Sequence, residues 1–218
     1  MNFDDQNNEI NCGNSYSEND SEMESQVSEA VPAYDNRFID PNKLYTYADF
    51  ATWEDSDYWE LFDGVPIKMA TPTLRHQDIC VNLVAVIHKY LKGKPCKVYN
   101  VAVDFRLNAK TFDNNVFHPD LIIICDFDNI DKEGYCGTPE MVVEVLSPST
   151  AKRDKTVKLN AYQKKGVEEY WIIDPKQNTV VVYVLSEDKY IAYPYKETDI
   201  VKLQKFKDCV IDLSEVFE

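Results

Sequence analysis

The sequence predicts an α/β fold with a mixed central sheet flanked by helices, and three observations carry that reading. The runs Leu121-Ile122-Ile123-Ile124 and Met141-Val142-Val143-Glu144-Val145-Leu146 are short and nearly continuous in apolar character, as strands buried on both faces are. Between Thr73 and Gly93, Ile79, Leu83, Val84, Val86, Ile87, Tyr90 and Leu91 instead recur near helical spacing. Asp63-Gly64, set between Trp59-Glu60-Leu61-Phe62 and Val65-Pro66-Ile67-Lys68-Met69, supplies the dipeptide that tolerates the positive φ angles of a tight hairpin turn.

Taken in order, structure begins at Thr46, a helix N-cap with Asp49 three residues on, leading a short helix over Tyr47 to Trp53. The Asp63-Gly64 hairpin follows, then the first long helix, which Gly93 ends. Val98 to Leu107 alternates and reads as one strand, with Leu121 to Cys125 and Met141 to Leu146 completing the sheet core. Ser147-Pro148-Ser149-Thr150 caps a polar-faced helix from Ala151 to Lys165, which Gly166 stops. Glu169 to Ile173 is a further strand, ended by Asp174-Pro175. Thr179 to Leu185 and Lys189 to Tyr195 pair antiparallel, and a last short strand lies near Cys209 to Ile211.

The 218 residues suffice for one well-filled domain, here 43–218, preceded by an acidic arm over 1–42. The arm holds ten acids against Arg37 alone, so −9 of the formal net charge of −15 belongs to it. Its polar composition cannot offset the entropy of ordering and predicts disorder. A competing reading makes it an arm that contends with nucleic acid for a basic groove. No signal-like or membrane-spanning apolar stretch is present, which predicts a cytoplasmic protein that makes no membrane contact. The six cysteines lack regular spacing, and several fall in apolar segments, so they are read as reduced core thiols rather than disulfide or zinc partners.

The chemistry resides in two carboxylates. Glu144 interrupts an apolar strand and Asp120, after Pro119, opens another. An ionised carboxylate in such a place is costly unless a cation or proton accompanies it. One divalent ion would satisfy both, and hard cations such as Mg2+ take carboxylates together with waters and a phosphate, which directs the reading to phosphodiester chemistry. Asp154, Lys158 and Tyr162 stand at i, i+4 and i+8 and share a helical face. Turned toward the strand ends, that face would bring the Lys158 amine to a phosphate or to the attacking water.

The ordered set of motifs resembles the P-D…(D/E)-x-K core of the restriction-endonuclease-like superfamily, with Leu146 where its lysine would stand. Some branches move that lysine onto the next helix, and the wider pattern is similar to the Uma-two family of restriction-type endonucleases. The matching pieces are Tyr58 to Gly64, His76-Gln77, Pro119-Asp120, Glu144 to Thr150, Asp154-x3-Lys158-x3-Tyr162 and Gly166 to Pro175. The resemblance implies Mg2+-dependent cleavage of DNA, with Mn2+ as a substitute. It implies Asp120 and Glu144 as metal ligands, the Val145 carbonyl as a further ligand, Lys158 as the group that orients water, and Glu60 as an outer acid.

Each residue alone has a plainer reading. Pro-Asp is a common turn, an Asp154–Lys158 surface pair is worth about 0.3–0.5 kcal/mol, and Glu60 could be a solvated strand residue. His76 is either a base or phosphate contact or a capping, packed histidine. Tyr162 reads as core, and His88 and His118 receive no role. Lys155, within the basic cluster from Lys152 to Lys165, is either solvated or steers phosphate. The rival function is a non-catalytic nucleic-acid-binding or interaction protein that keeps the scaffold. A nuclease for RNA or branched DNA is a third option, and a homodimer would suit double-strand cutting.

Overall fold

The computed structural model describes residues 39–40, 42–53, 58–100, 103–108, 112–131 and 134–218. Nearly all of the expected acidic arm lies outside them, whereas the helix expected over Tyr47 to Trp53 lies within them and ends at Phe50.

Helix α1 (Tyr47–Phe50) opens on the capping box expected at Thr46, whose N–H donates to Asp49 Oδ2 at 2.9 Å. Strands β1 (Trp59–Phe62) and β2 (Val65–Lys68) form the hairpin, with Asp63 and Gly64 at φ 46° and 79°. A side chain on Gly64 would press on Leu44 Cβ and the Tyr45 carbonyl, each 3.0 Å away, so the turn requires glycine on steric as well as conformational grounds. Helix α2 (Leu74–Leu91) starts at Thr73, whose Oγ1 accepts the His76 N–H, and buries Ile79, Leu83, Ile87 and Leu91 along one stripe.

The remaining strands are β3 (Lys97–Asn100), β4 (Phe105–Arg106), β5 (Val116–Phe117), β6 (Leu121–Ile124), β7 (Ile130–Asp131), β8 (Gly134–Tyr135), β9 (Met141–Val145), β10 (Glu169–Asp174), β11 (Thr179–Ser186), β12 (Lys189–Lys196), β13 (Ile200–Lys202) and β14 (Val210–Asp212). Between β9 and β10 run α3 (Ala151–Arg153), a π-helical turn over Asp154–Lys158, and α4 (Leu159–Lys165), which Gly166 ends in the left-handed conformation. Helix α5 (Leu213–Val216) follows β14.

Among the described residues the main sheet has the order β12-β11-β10-β9-β6-β3. Its β9–β10 pair is parallel, as a helical crossover between the two strands allows, and its other pairs are antiparallel. The sheet is therefore mixed, as expected. A second sheet, β2-β1-β5-β4-β8-β7, is built from short strands. It corrects the reading of Val98 to Leu107 as one strand, since β3 pairs with β6 in the main sheet whereas β4 pairs with β5 and β8 in the second.

The expectation of reduced cysteines also fails at one place, where Cys96 and Cys125 form a disulfide. They stand one step beyond the Lys97↔Ile124 pair of β3 and β6, a neighbourhood created by strand register rather than by spacing in the chain. Cys80 and Cys209 are free, buried thiols as expected.

Pleating sorts β9 onto two faces. Met141, Val143 and Val145 join the α2 stripe, whereas Val142 and Leu146 pack with Tyr162 of α4. Tyr162 also touches Phe105 and Phe117 of the second sheet, with ring centroids 6.0 and 5.7 Å away, so α4 is gripped between the two sheets. Glu144, on the Val142 side, faces that gap. Among the described residues no helix is long and apolar enough to cross a membrane.

Candidate active site

Four acids and one lysine converge where the π-helical turn passes between the sheets. Glu60, Glu144, Asp154 and Lys158 are 2%, 4%, 1% and 2% exposed, so the cluster is almost wholly removed from water. Lys158 Nζ lies 2.7 Å from Glu60 Oε1, 2.9 Å from Glu144 Oε1 and 3.7 Å from Asp154 Oδ1. The sequence placed Asp154, Lys158 and Tyr162 on one face, and the structure keeps them so. The π turn between the first two is the kind of helix irregularity that collects at functional sites.

Glu144 is held by two donors on one oxygen, because Tyr162 Oη also donates to its Oε1, at 2.9 Å. Its other oxygen accepts no hydrogen bond from the described residues. Burial pushes the Glu144 carboxyl well above the usual range, and the Lys158 ammonium opposes that rise. Lys158 itself is pulled down by burial, but Glu144, Glu60 and Asp154 together outweigh it and hold the amine charged. The three carboxylates surround the amine within 4.0 Å, which is what keeps the positive charge on Lys158.

Asp120 occupies the mouth of β6, across from Glu144 in the β6–β9 register, and is the accessible member of the group with its side chain 24% exposed. Its Oδ2 accepts the Val145 N–H at 2.7 Å and lies 3.2 Å from His76 Nε2. Its Oδ1, like the second oxygen of Glu144, accepts no hydrogen bond from the described residues. In an extended strand the N–H and C=O of one residue leave on the same side, so the Val145 carbonyl is turned toward Asp120. It also lies near His76, adding to the pull that raises the imidazole above its ordinary value despite burial, which acts the other way and is the largest single influence.

Two participants were not identified as such from sequence. Asp154 is buried, neither of its carboxylate oxygens finds a hydrogen bond among the described residues, and burial raises its carboxyl. The signal was available, since Asp154 shares the Lys158 face, but the depth of that face was not. His118 donates its N–H to Glu60 Oε1 at 3.0 Å, while its Nε2 meets Asp104 Oδ1 at 2.6 Å and Asp104 takes the Tyr47 hydroxyl at 2.8 Å. This network seats Glu60 beside the lysine, and only its adjacency to Pro119-Asp120 hinted at it. His76, read from sequence as either a base or phosphate contact or a capping, packed histidine, is buried, with its ring nitrogens facing Cys80 and Asp120. Lys155 is exposed on the helix surface, outside the buried cluster. Among the described residues, nearby Arg153 carries a buried Nη1 with no hydrogen-bond acceptor, while its Nη2 lies 3.9 Å from Met69 Sδ.

A family model, Uma2, described as "Putative restriction endonuclease", matches residues 47–214. An uncharacterised protein of Synechocystis sp. is 25% identical over 160 residues, 72% of this chain and 83% of its own length. A crystal structure from Anabaena variabilis, titled as a putative nuclease belonging to DUF820, matches with a TM-score of 0.66 at 20% identity, over 79% of this chain and 97% of that one. That last likeness establishes a shared fold.

Proposed function

We propose, from the premise that this chain belongs to the Uma2 family, that it is a metal-dependent nuclease hydrolysing the phosphodiester bonds of DNA. The observation that carries the reading is a division of labour within two carboxylates. Asp120 and Glu144 each have one oxygen held by two donors and the other without a hydrogen bond from the described residues. An oriented oxygen with an unused lone pair is what a cation requires of a ligand. The residues present therefore fit a hard divalent ion, with Asp120, Glu144 and the Val145 carbonyl as its holders.

Mg2+ or Mn2+, when bound there, supplies positive charge against the scissile phosphate and makes a water more acidic. The chain's own groups supply the rest. Lys158, held charged, offers an ammonium to a phosphate oxygen or to the attacking water. Glu60 and Tyr162 fix it and Glu144 in place, so that neither must reorganise as charge develops. Arg153 and the exposed amines of Lys152 and Lys155 favour approach of a polyanion to an otherwise acidic protein.

The test is cleavage of plasmid DNA by the purified full chain in Mg2+ or Mn2+, compared with Asp120→Ala and Lys158→Ala. Metal-dependent cutting lost in both variants supports the reading, and equal cutting in all three overturns it. A wild type that binds Mn2+ and cuts neither DNA, RNA nor branched duplexes would assign the non-catalytic scaffold instead. Sedimentation with and without DNA tests for the homodimer.

A further inference from the structure

We infer that His76 is a positioning residue that acts through Asp120, aided by Cys80, and does not touch the nucleic acid. The inference rests on the metal reading of Asp120. Thr73 caps α2 by accepting the His76 N–H, which sets the imidazole on the first turn of the helix with Cys80 one turn on. There the ring is enclosed, at 8% exposure, and spans two partners. Nε2 lies 3.2 Å from Asp120 Oδ2, and Nδ1 lies 3.7 Å from Cys80 Sγ, within reach of a weak thiol hydrogen bond.

The chemistry of the partners fixes direction. A carboxylate oxygen only accepts, so the Nε2 that faces Asp120 carries a ring hydrogen toward it, while Nδ1 faces the Cys80 sulfur. Asp120 Oδ2 then receives two donors, the Nε2–H and the Val145 N–H, from opposite elements of the fold, α2 and β9. A carboxylate pinned by one oxygen cannot rotate freely, and Oδ1 is left to the cation. Groups behind a ligand that orient it in this way typically govern metal affinity by 10–100-fold. A ring buried and engaged at both nitrogens has no edge to offer a phosphate.

Calorimetric titration of Mn2+ into the full chain decides the matter, with melting curves as a check on folding. His76→Ala should weaken Mn2+ binding about 10–100-fold. His76→Gln, whose amide nitrogen can stand near the Nε2 position, should recover most of the loss. Cys80→Ser should stay within a few fold of wild type, since the hydroxyl can still hydrogen-bond Nδ1, while DNA affinity measured without metal should be unchanged in all three. Unaltered or tighter Mn2+ binding in His76→Ala overturns the inference, as does a glutamine variant that folds yet rescues nothing. So does a loss confined to DNA affinity, or a thiolate-to-metal absorption band in the Co2+ complex that Cys80→Ser abolishes, which would make these side chains ligands themselves. A wild type that takes up no Mn2+ brings down the metal reading, and the inference with it, and is told apart by failing before any variant is compared.

Discussion

Replacing Lys158 with methionine keeps most of the side chain's volume and removes its charge. The ammonium lies 2.7 Å from Glu60, 2.9 Å from Glu144 and 3.7 Å from Asp154, all of them buried. Removing one partner of a buried ion pair costs about 3–5 kcal/mol, because the other charge is left uncompensated. The Glu144 and Asp154 carboxyls, already raised by burial, can escape that cost only by taking up protons, so their folded-state pKa values rise further above the unfolded values of about 4. Between those two values the folded state binds more protons than the unfolded one, and stability must fall as pH rises. The slope is about 1.4 kcal/mol per pH unit for each proton held. Urea unfolding in chelator from about pH 5 to about pH 8 should show Lys158→Met close to wild type at the acid end and falling progressively behind it. Wild type should lose less, because Lys158 opposes the rise at Glu144. Mn2+ should restore part of the variant's deficit by supplying the missing positive charge. Equal stability at neutral pH, or a variant that weakens on acidification, would refute the electrostatic description of this cluster.

Other perturbations have definite outcomes. Tyr162→Phe deletes a hydrogen bond to a buried carboxylate and should cost about 1.5–3 kcal/mol in denaturant unfolding; a change below about 0.5 kcal/mol would show that Glu144 does not depend on it. Arg153→Ala should lower DNA affinity and reduce the slope of log affinity against log salt by about one, as loss of one phosphate contact does; an unchanged slope would place the guanidinium away from the nucleic acid. Opening the Cys96–Cys125 bridge, which spans a sequence separation of 29, should cost about 3–4 kcal/mol by loop-closure entropy. Peptide mapping that finds both thiols alkylated before reduction would contradict the bridge.

Local signals were legible in the sequence wherever backbone geometry dictates residue type. Asp63-Gly64 specified the hairpin because few residues tolerate its φ angles, and Thr46 marked a helix start because the Asp49 carboxylate three residues on satisfies its free N–H group. Glu144 could be found because an acid in an apolar strand is energetically conspicuous. What depends on strand register was not legible. The Cys96–Cys125 pairing and the transfer of Phe105–Arg106 to a second sheet follow from which strands meet, and nothing in the local pattern records that. The depth of Asp154 depends likewise on the second sheet closing over α4, which two-residue strands such as β4 and β5 scarcely announce. His118 escaped notice because its contribution to Glu60 is a backbone N–H, which every residue type but proline carries.

The most direct measurement of the central claim is an anomalous difference map from crystals of the full chain grown with Mn2+. One strong peak is expected within bonding distance, roughly 2.0–2.2 Å as for small hard cations, of Asp120 Oδ1 and the second oxygen of Glu144, with the Val145 carbonyl beside it and Lys158 Nζ in the same cleft. Density that shows those two oxygens turned apart with no ion between them, or an ion held elsewhere while Lys158 remains locked onto both Glu60 and Glu144, would contradict it.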